Sequence, residues 1–195
     1  MKIVQIGANK GNTDNDPVWA LSQKHLPESQ SWQFIFVEPN IKALKILKDN
    51  YISAGFHNIK LLQSAVSNKS DIISLYIDHD VPGSEGSQHA SIYKDHMYKM
   101  HHKDMDITSV DVSCITLCDV LNMADGEVDY LQIDTEGHDG VILLGCNLNH
   151  FYVKTIEYEY IHLDQHTIHL VNNHLLSCGY ILQNKTKDDY VFRKK

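Results

Sequence analysis

The 195-residue chain has no apolar run near the roughly 18 residues that a membrane span needs, and residues 1–6 read as a strand instead of a leader. It has no basic block either. Its 17 Lys and Arg stand against 25 Asp and Glu, a formal net charge of −8 spread along the sequence. Nucleic acids and anionic membranes need clustered cations that release counterions, so neither is an expected partner. Cysteine is sparse. Cys114, Cys118, Cys146 and Cys178 form no C-x-x-C pair, so neither a zinc knuckle nor a disulfide framework is indicated. Reduced, mostly buried thiols and a cytoplasmic location are the expectation. No linker or repeat divides the chain, which is long enough for one domain, 1–195, burying about 70% of its unfolded surface.

What is present is alternation. Residues 2–6 (KIVQI) form a short β-type run, followed by a polar glycine loop and a helix over 17–26 with Pro17 in its first turn. Residues 34–39 (FIFVEP) give a second strand. The helix after it carries Ile41, Leu44 and Leu47 on one face and Lys42, Lys45 and Lys48 on another. Further strands are read at 58–66, 71–77 (an accessory one), 107–117, 128–137 and 152–160. Helices follow the last three, and a hairpin closes the chain. Several strands are apolar throughout. The pattern predicts an α/β fold: a doubly wound, mainly parallel, seven-stranded sheet with helices on both faces and an antiparallel strand in the C-terminal hairpin. Residues 78–106 are rich in Gly, Ser and His without a sustained period, and are expected to be a long insertion shaping a pocket. In such sheets ligands sit beyond the carboxyl ends of the strands, where strand order reverses.

The polar clusters fall at those ends. Gly7 and Gly11 make a G-x-x-x-G turn that lets backbone N–H groups approach a ligand. The third glycine of a dinucleotide fingerprint is missing, and no G-K-[ST] follows, so a pyrophosphate is less expected than an adenosine-type ligand. Glu38, followed by Pro39, ends the second strand where a carboxylate can accept from both hydroxyls of a ribose; a solvated or helix-capping acid is the plainer alternative.

Together, "VQIGANKGN", "FVEPN", "AVSN", "SCITLCDVL", "LQIDTEGHDGVILLG" and "SCGY" resemble the FkbM-type methyltransferases over nearly the whole chain. That resemblance implies a class I methyltransferase fold, S-adenosyl-L-methionine as cofactor, and O-methylation of a hydroxyl on a sugar or other small polar metabolite. By position, Gly7, Ala8, Asn9 and Gly11 match the loop around the cofactor's methionine part, and Glu38 matches the ribose-binding acid. Ser64 and Ala65 fall where the adenine edge is read. Asp134 and Glu136 match the acids beside the transferable methyl group. Gln5 stands where many class I enzymes carry an acid, and Asp16, just before the first helix, is placed to face the cofactor, as is Asp14.

Asp134 or Glu136 is a candidate base or orienting group for the acceptor hydroxyl; alternatively Asp134 holds the cofactor's ammonium and Glu136 caps the next helix. His138 adds a titratable group with a suitable ordinary pKa, or is a surface helix residue. Glu157 and Glu159 alternate onto one face of their strand, and one of them is expected at the site rim. His162, His166 and His169 would line one face if they shared a helix. No Cys or acid has a spacing that closes a site around them, so no metal is expected. Rival readings are a nucleotide-sugar or NAD-linked oxidoreductase and a degenerate nucleoside-binding regulatory module. A homodimer is compatible with the sequence.

Overall fold

The computed structural model describes residues 1–13, 15–78, 90–95, 98 and 107–195. Seven strands build the central sheet: β1 (Lys2–Ile6), β2 (Gln33–Val37), β3 (Ile59–Leu62), β8 (Glu127–Ile133), β9 (Tyr152–Glu159), β10 (Tyr180–Lys185) and β11 (Asp189–Lys194). Their order is β10-β11-β9-β8-β1-β2-β3. Every neighbouring pair is parallel except those of β11, which runs against both β9 and β10. The seven strands and the antiparallel closing strand follow the sequence pattern.

The central strands are apolar at successive positions because both faces are covered. Val4, Ile6, Ile35, Val37, Leu131 and Ile133 belong to one core layer. Their sequence neighbours Ile3, Phe34 and Phe36 belong to the other, as alternation along a strand requires. Helices α1 (Pro17–Lys24) and α2 (Ile41–Ser53) cover the aromatic side, where Trp19 and Phe34 stack edge-on against Tyr51. In α2 the buried stripe is Ala43, Leu44, Leu47 and Tyr51, while Ile41 is 41% exposed, so the helix presents a slightly rotated face from the one predicted. The opposite side is covered by α3 (Leu117–Met123), α4 (Asp139–Leu144) and α5 (Gln165–Ser177).

Two features depart from the sequence reading. The strand expected over 58–66 is split: β3 stops at Leu62, and β4 (Ala65–Ser67) enters a second, four-stranded sheet ordered β4-β7-β5-β6, with β5 (Asp71–Asp78), β6 (Ala90–Ser91) and β7 (Ile107–Thr116). The fold is therefore not built on a single sheet. Polar Gln63 and Ser64 interrupt the apolar run, and the single Ser64 hydroxyl proton is shared between the carbonyls of Ala65 and Ser113, each 2.9 Å away, tying the new strand to β7. The thiols also differ from expectation. Cys118 and Cys146 form a disulfide with their Cα atoms 5.6 Å apart, because α3 and the end of α4 meet on the same sheet face; their separation of 28 residues carries no local signal. Cys114 and Cys178 are free and buried. None of the described helices is long and apolar enough to cross a membrane.

Candidate active site

After β1 the chain continues to β2 and β3 on one side, then returns to add β8 on the other, so strand order reverses between β1 and β8. A cavity of about 170 Å³ opens at this point, beyond the strands' carboxyl ends. The β1 loop, the end of β2, the loop after β8 and the inner face of the second sheet enclose it.

Gly7 sets the geometry of the loop. Its φ is +77°, and its N–H and that of Ala8 both donate to the Val37 carbonyl, pinning the turn to β2. A side chain on Gly7 would drive its Cβ into the carbonyl oxygen of Asp134, so the turn can close against β8 only as glycine. Asn9, at φ +46°, donates its N–H to Glu38 Oε2 at 2.9 Å, and Asn40 donates to Oε1 at 2.8 Å. Each carboxylate oxygen can accept two hydrogen bonds and accepts one here, so both retain a lone pair for a ribose hydroxyl. Burial raises the Glu38 carboxyl to about 7 against the pull of these two N–H groups.

Gln5 and Gln132 face each other in register on β1 and β8, and both line the cavity. The Gln5 amide donates to Asp16 Oδ2 at 3.1 Å, which fixes its orientation. The side-chain carbonyl oxygens of Gln5 and Gln132 are both buried without a donor. Two such acceptors fit an ammonium group. Asp16 caps α1 by accepting from the Trp19 N–H at 2.8 Å, and burial raises its carboxyl.

Most of the predicted cofactor residues meet here: Gln5, Gly7, Ala8 and Asn9 from the first loop, Asp16, then Glu38, Pro39, Ser64, Ala65 and Asp134. Gly11 is not among them. Its φ of +65° turns the chain against α2, where a Cβ would lie 2.7 Å from Leu47, so its place is set by packing. Asp14 lies outside the described residues. So does most of 78–106, of which Ala90, Ser91 and Ile92 line the cavity.

The opposite wall is acidic. The loop 134–138 carries Asp134, Glu136 and His138, with Glu136 at φ +53° followed by Gly137 at +96°. Glu136 does not cap α4: the N-cap is His138, and the turn is held by buried Asp139, whose Oδ2 accepts from the Thr135 N–H and hydroxyl. Burial raises Asp139 to about 7. Asp134 is raised well above its usual range by burial and by Asp139, Glu136, Asp189 and Asp16 around it. Of the two glutamates on β9, Glu157 accepts from the Tyr130 hydroxyl at 2.7 Å, and Glu159 joins the acid wall. His138 is 6% exposed, with Nε2 2.9 Å from Ser67 Oγ and Nδ1 2.9 Å from Tyr93 Oη. Burial lowers it to about 4, which keeps the imidazole neutral.

Sequence reasoning missed Gln132, Tyr93 and Asp189. Gln132 is the polar position of an otherwise apolar strand and offered a signal. Tyr93 and Asp189 offered none, since one lies in an aperiodic segment and the other in a hairpin turn remote in sequence.

The model of the methyltransferase FkbM domain matches residues 5–182. No curated protein sequence is significantly similar to the chain. Among solved structures, a ribosomal protein L11 methylase from Lactobacillus delbrueckii subsp. bulgaricus superposes over 100% of this chain and 70% of its own, with 8% identity and a TM-score of 0.50. A magnesium protoporphyrin IX methyltransferase from Synechocystis PCC 6803, solved with S-adenosylmethionine bound, superposes over 99% of this chain and 69% of its own, with 7% identity and a TM-score of 0.49. At such identities the first of these speaks for the fold alone. With the family match spanning most of the sequence and its glycine turn, ribose-ready acid and acidic loop gathered at one crevice, the chain belongs to the FkbM domain family of S-adenosylmethionine-dependent methyltransferases.

Proposed function

We propose that this methyltransferase acts on a hydroxyl of a sugar or other small polar metabolite. The observation that carries the reading is the division of the cavity: a nucleoside-fitting half at Gly7, Glu38 and the Gln5–Gln132 pair, and an acid-lined half at Asp134 and Glu136. A polar acceptor suits the second half because carboxylates there take hydrogen bonds from hydroxyl groups.

S-adenosylmethionine, when bound, would supply an electrophilic methyl group with a neutral thioether as its leaving group. The protein positions the reactants and removes the proton. Glu38 accepts from the ribose. The carbonyl oxygens of Gln5 and Gln132 accept from the ammonium. Asp134 takes the proton of the acceptor hydroxyl, and Glu136 orients that hydroxyl. His138, neutral between Ser67 and Tyr93, fixes the Tyr93 hydroxyl at the acceptor side. Ala90, Ser91 and Ile92 contribute directly to the pocket.

The test is calorimetric titration with S-adenosylhomocysteine and, separately, NAD, followed by a screen of hydroxylated acceptors. Binding of the sulfur nucleoside and methylation of a hydroxyl support the reading. Binding of NAD alone would overturn it. Asp134→Asn is expected to abolish turnover while leaving the fold intact; retained turnover would remove Asp134 as the base.

A further inference from the structure

Glu136, Glu159 and His162 come from three separate elements: the loop after β8, the last residue of β9 and the turn before α5. One ligand atom of each lies within 4.8 Å of the other two. His162 Nε2 stands 3.5 Å from Glu136 Oε2 and 3.7 Å from Glu159 Oε1. Donor atoms bound about 2.1 Å from a common ion are roughly 3.0–3.4 Å apart when the angles between them are right-angled or tetrahedral. The two His162 contacts exceed that span by a few tenths of an ångström and the two glutamate oxygens lie within 4.8 Å of each other, so side-chain rotation brings the three around one centre.

A second observation points the same way. Glu159 Oε2 is shielded from solvent and has no hydrogen-bond donor, on a side chain only 12% exposed. A carboxylate oxygen so placed is unfavourable unless a counter-charge reaches it. Asp134, Asp139 and Asp189 also bear electrostatically on Glu159, along with Glu136. Asp139, wholly buried, also keeps Oδ1 without a donor.

We propose that Glu136, Glu159 and His162 form a binding site for a divalent metal ion, with Mn²⁺ the best match. Two carboxylates favour a harder ion than zinc, and the imidazole favours a transition metal over Mg²⁺ or Ca²⁺; Mn²⁺ satisfies both. Three protein ligands leave coordination positions open. The site joins two spaces, since Glu136 lines the main cavity while His162 lines an adjoining pocket with Tyr93 and Gly137. On the methyl-transfer reading, which this extension rests on, the open positions take an acceptor bearing two neighbouring oxygens. The ion then lowers the pKa of the hydroxyl to be methylated. Glu136 orients that hydroxyl through the ion.

The test is titration of chelator-treated full-length protein with MnCl₂, following loss of the free-ion signal by electron paramagnetic resonance, alongside calorimetry with S-adenosylhomocysteine. Wild type is expected to bind Mn²⁺, and Glu159→Gln and His162→Ala to weaken it by about tenfold or more. If either variant fails to fold, Glu136→Gln, on a 27% exposed side chain, supplies the same comparison. No Mn²⁺ binding by wild type, or affinity unchanged by the substitutions, would overturn the site. A wild type that binds the nucleoside but not Mn²⁺ overturns the metal site alone. Mn²⁺ binding by a protein that refuses the nucleoside supports the site and overturns the cofactor reading.

Discussion

The two halves of the cavity are built by opposite means. The nucleoside-fitting half is mostly local: apart from Gln132 on β8, residues 5–16 and Glu38 lie within one strand–helix–strand unit, and Glu38 is held by two backbone N–H groups from turns beside it. The acid wall is assembled from β8, β9, the turn before α5 and the start of β11, and its carboxyls raise one another. Local construction yields an acid whose hydrogen bonds are in place before any ligand arrives. Assembly at long range yields a field that awaits positive charge.

The sharpest way to break the comparison is to strike the point where the halves touch. Gly7→Ala places a Cβ in the Asp134 carbonyl at a φ of +77°, and is expected to cost about 4 kcal/mol or more, read as lost soluble protein or a collapsed thermal transition. Unchanged melting would show that the halves are not held together there. Next is the staple behind the acid wall. Opening Cys118–Cys146 frees a 28-residue separation, and the loop-closure model puts the loss at about 3–4 kcal/mol. Thermal melting with and without reductant reads it, and an identical transition temperature would refute it.

The third prediction separates the halves by pH. Glu38 rises from 4.5 to about 7 and Asp139 from 3.8 to about 7 on folding, so between these values the folded state holds protons that the unfolded chain releases. Stability is then fully present below about pH 4 and falls as pH rises through 7, by up to about 3 kcal/mol for Glu38 and about 4 kcal/mol for Asp139. Chemical denaturation at pH 5 and pH 8 reads the slope. Glu38→Gln and Asp139→Asn should each flatten part of it, and a wild-type stability that rises over this range would contradict both assignments. The smallest effect is on the ligand: Glu38→Ala is expected to weaken S-adenosylhomocysteine binding by about 1–3 kcal/mol in calorimetry, and an unchanged affinity would take Glu38 out of the site.

The same contrast decides what was legible in the sequence. Gly7, Glu38 and Asp134 each directly follow an apolar strand, so their place at the carboxyl edge follows from periodicity alone. Gly11 sits in the same motif, yet no spacing distinguishes a glycine facing a ligand from one facing Leu47. Spacing alone groups His162 with His166 and His169. Asp164 caps α5 after His162, leaving only the other two on the helix, and the acids that meet His162 come from Glu136 and Glu159. The second sheet and the disulfide were illegible for a similar reason: both depend on which elements become neighbours after folding, and the polar break at Gln63–Ser64 does not say which sheet the residues after it join.

The close approach of Gly7 to the Asp134 carbonyl has a further consequence. The spacing between the two loops is set by main-chain atoms, and the Asp134 N–H adds a bond to the Ile6 carbonyl at 3.0 Å on the same seam. Side chains on either loop can thus be exchanged without altering the distance across which a group would be handed over. The seam acts as a ruler, and acceptor preference becomes adjustable independently of reach.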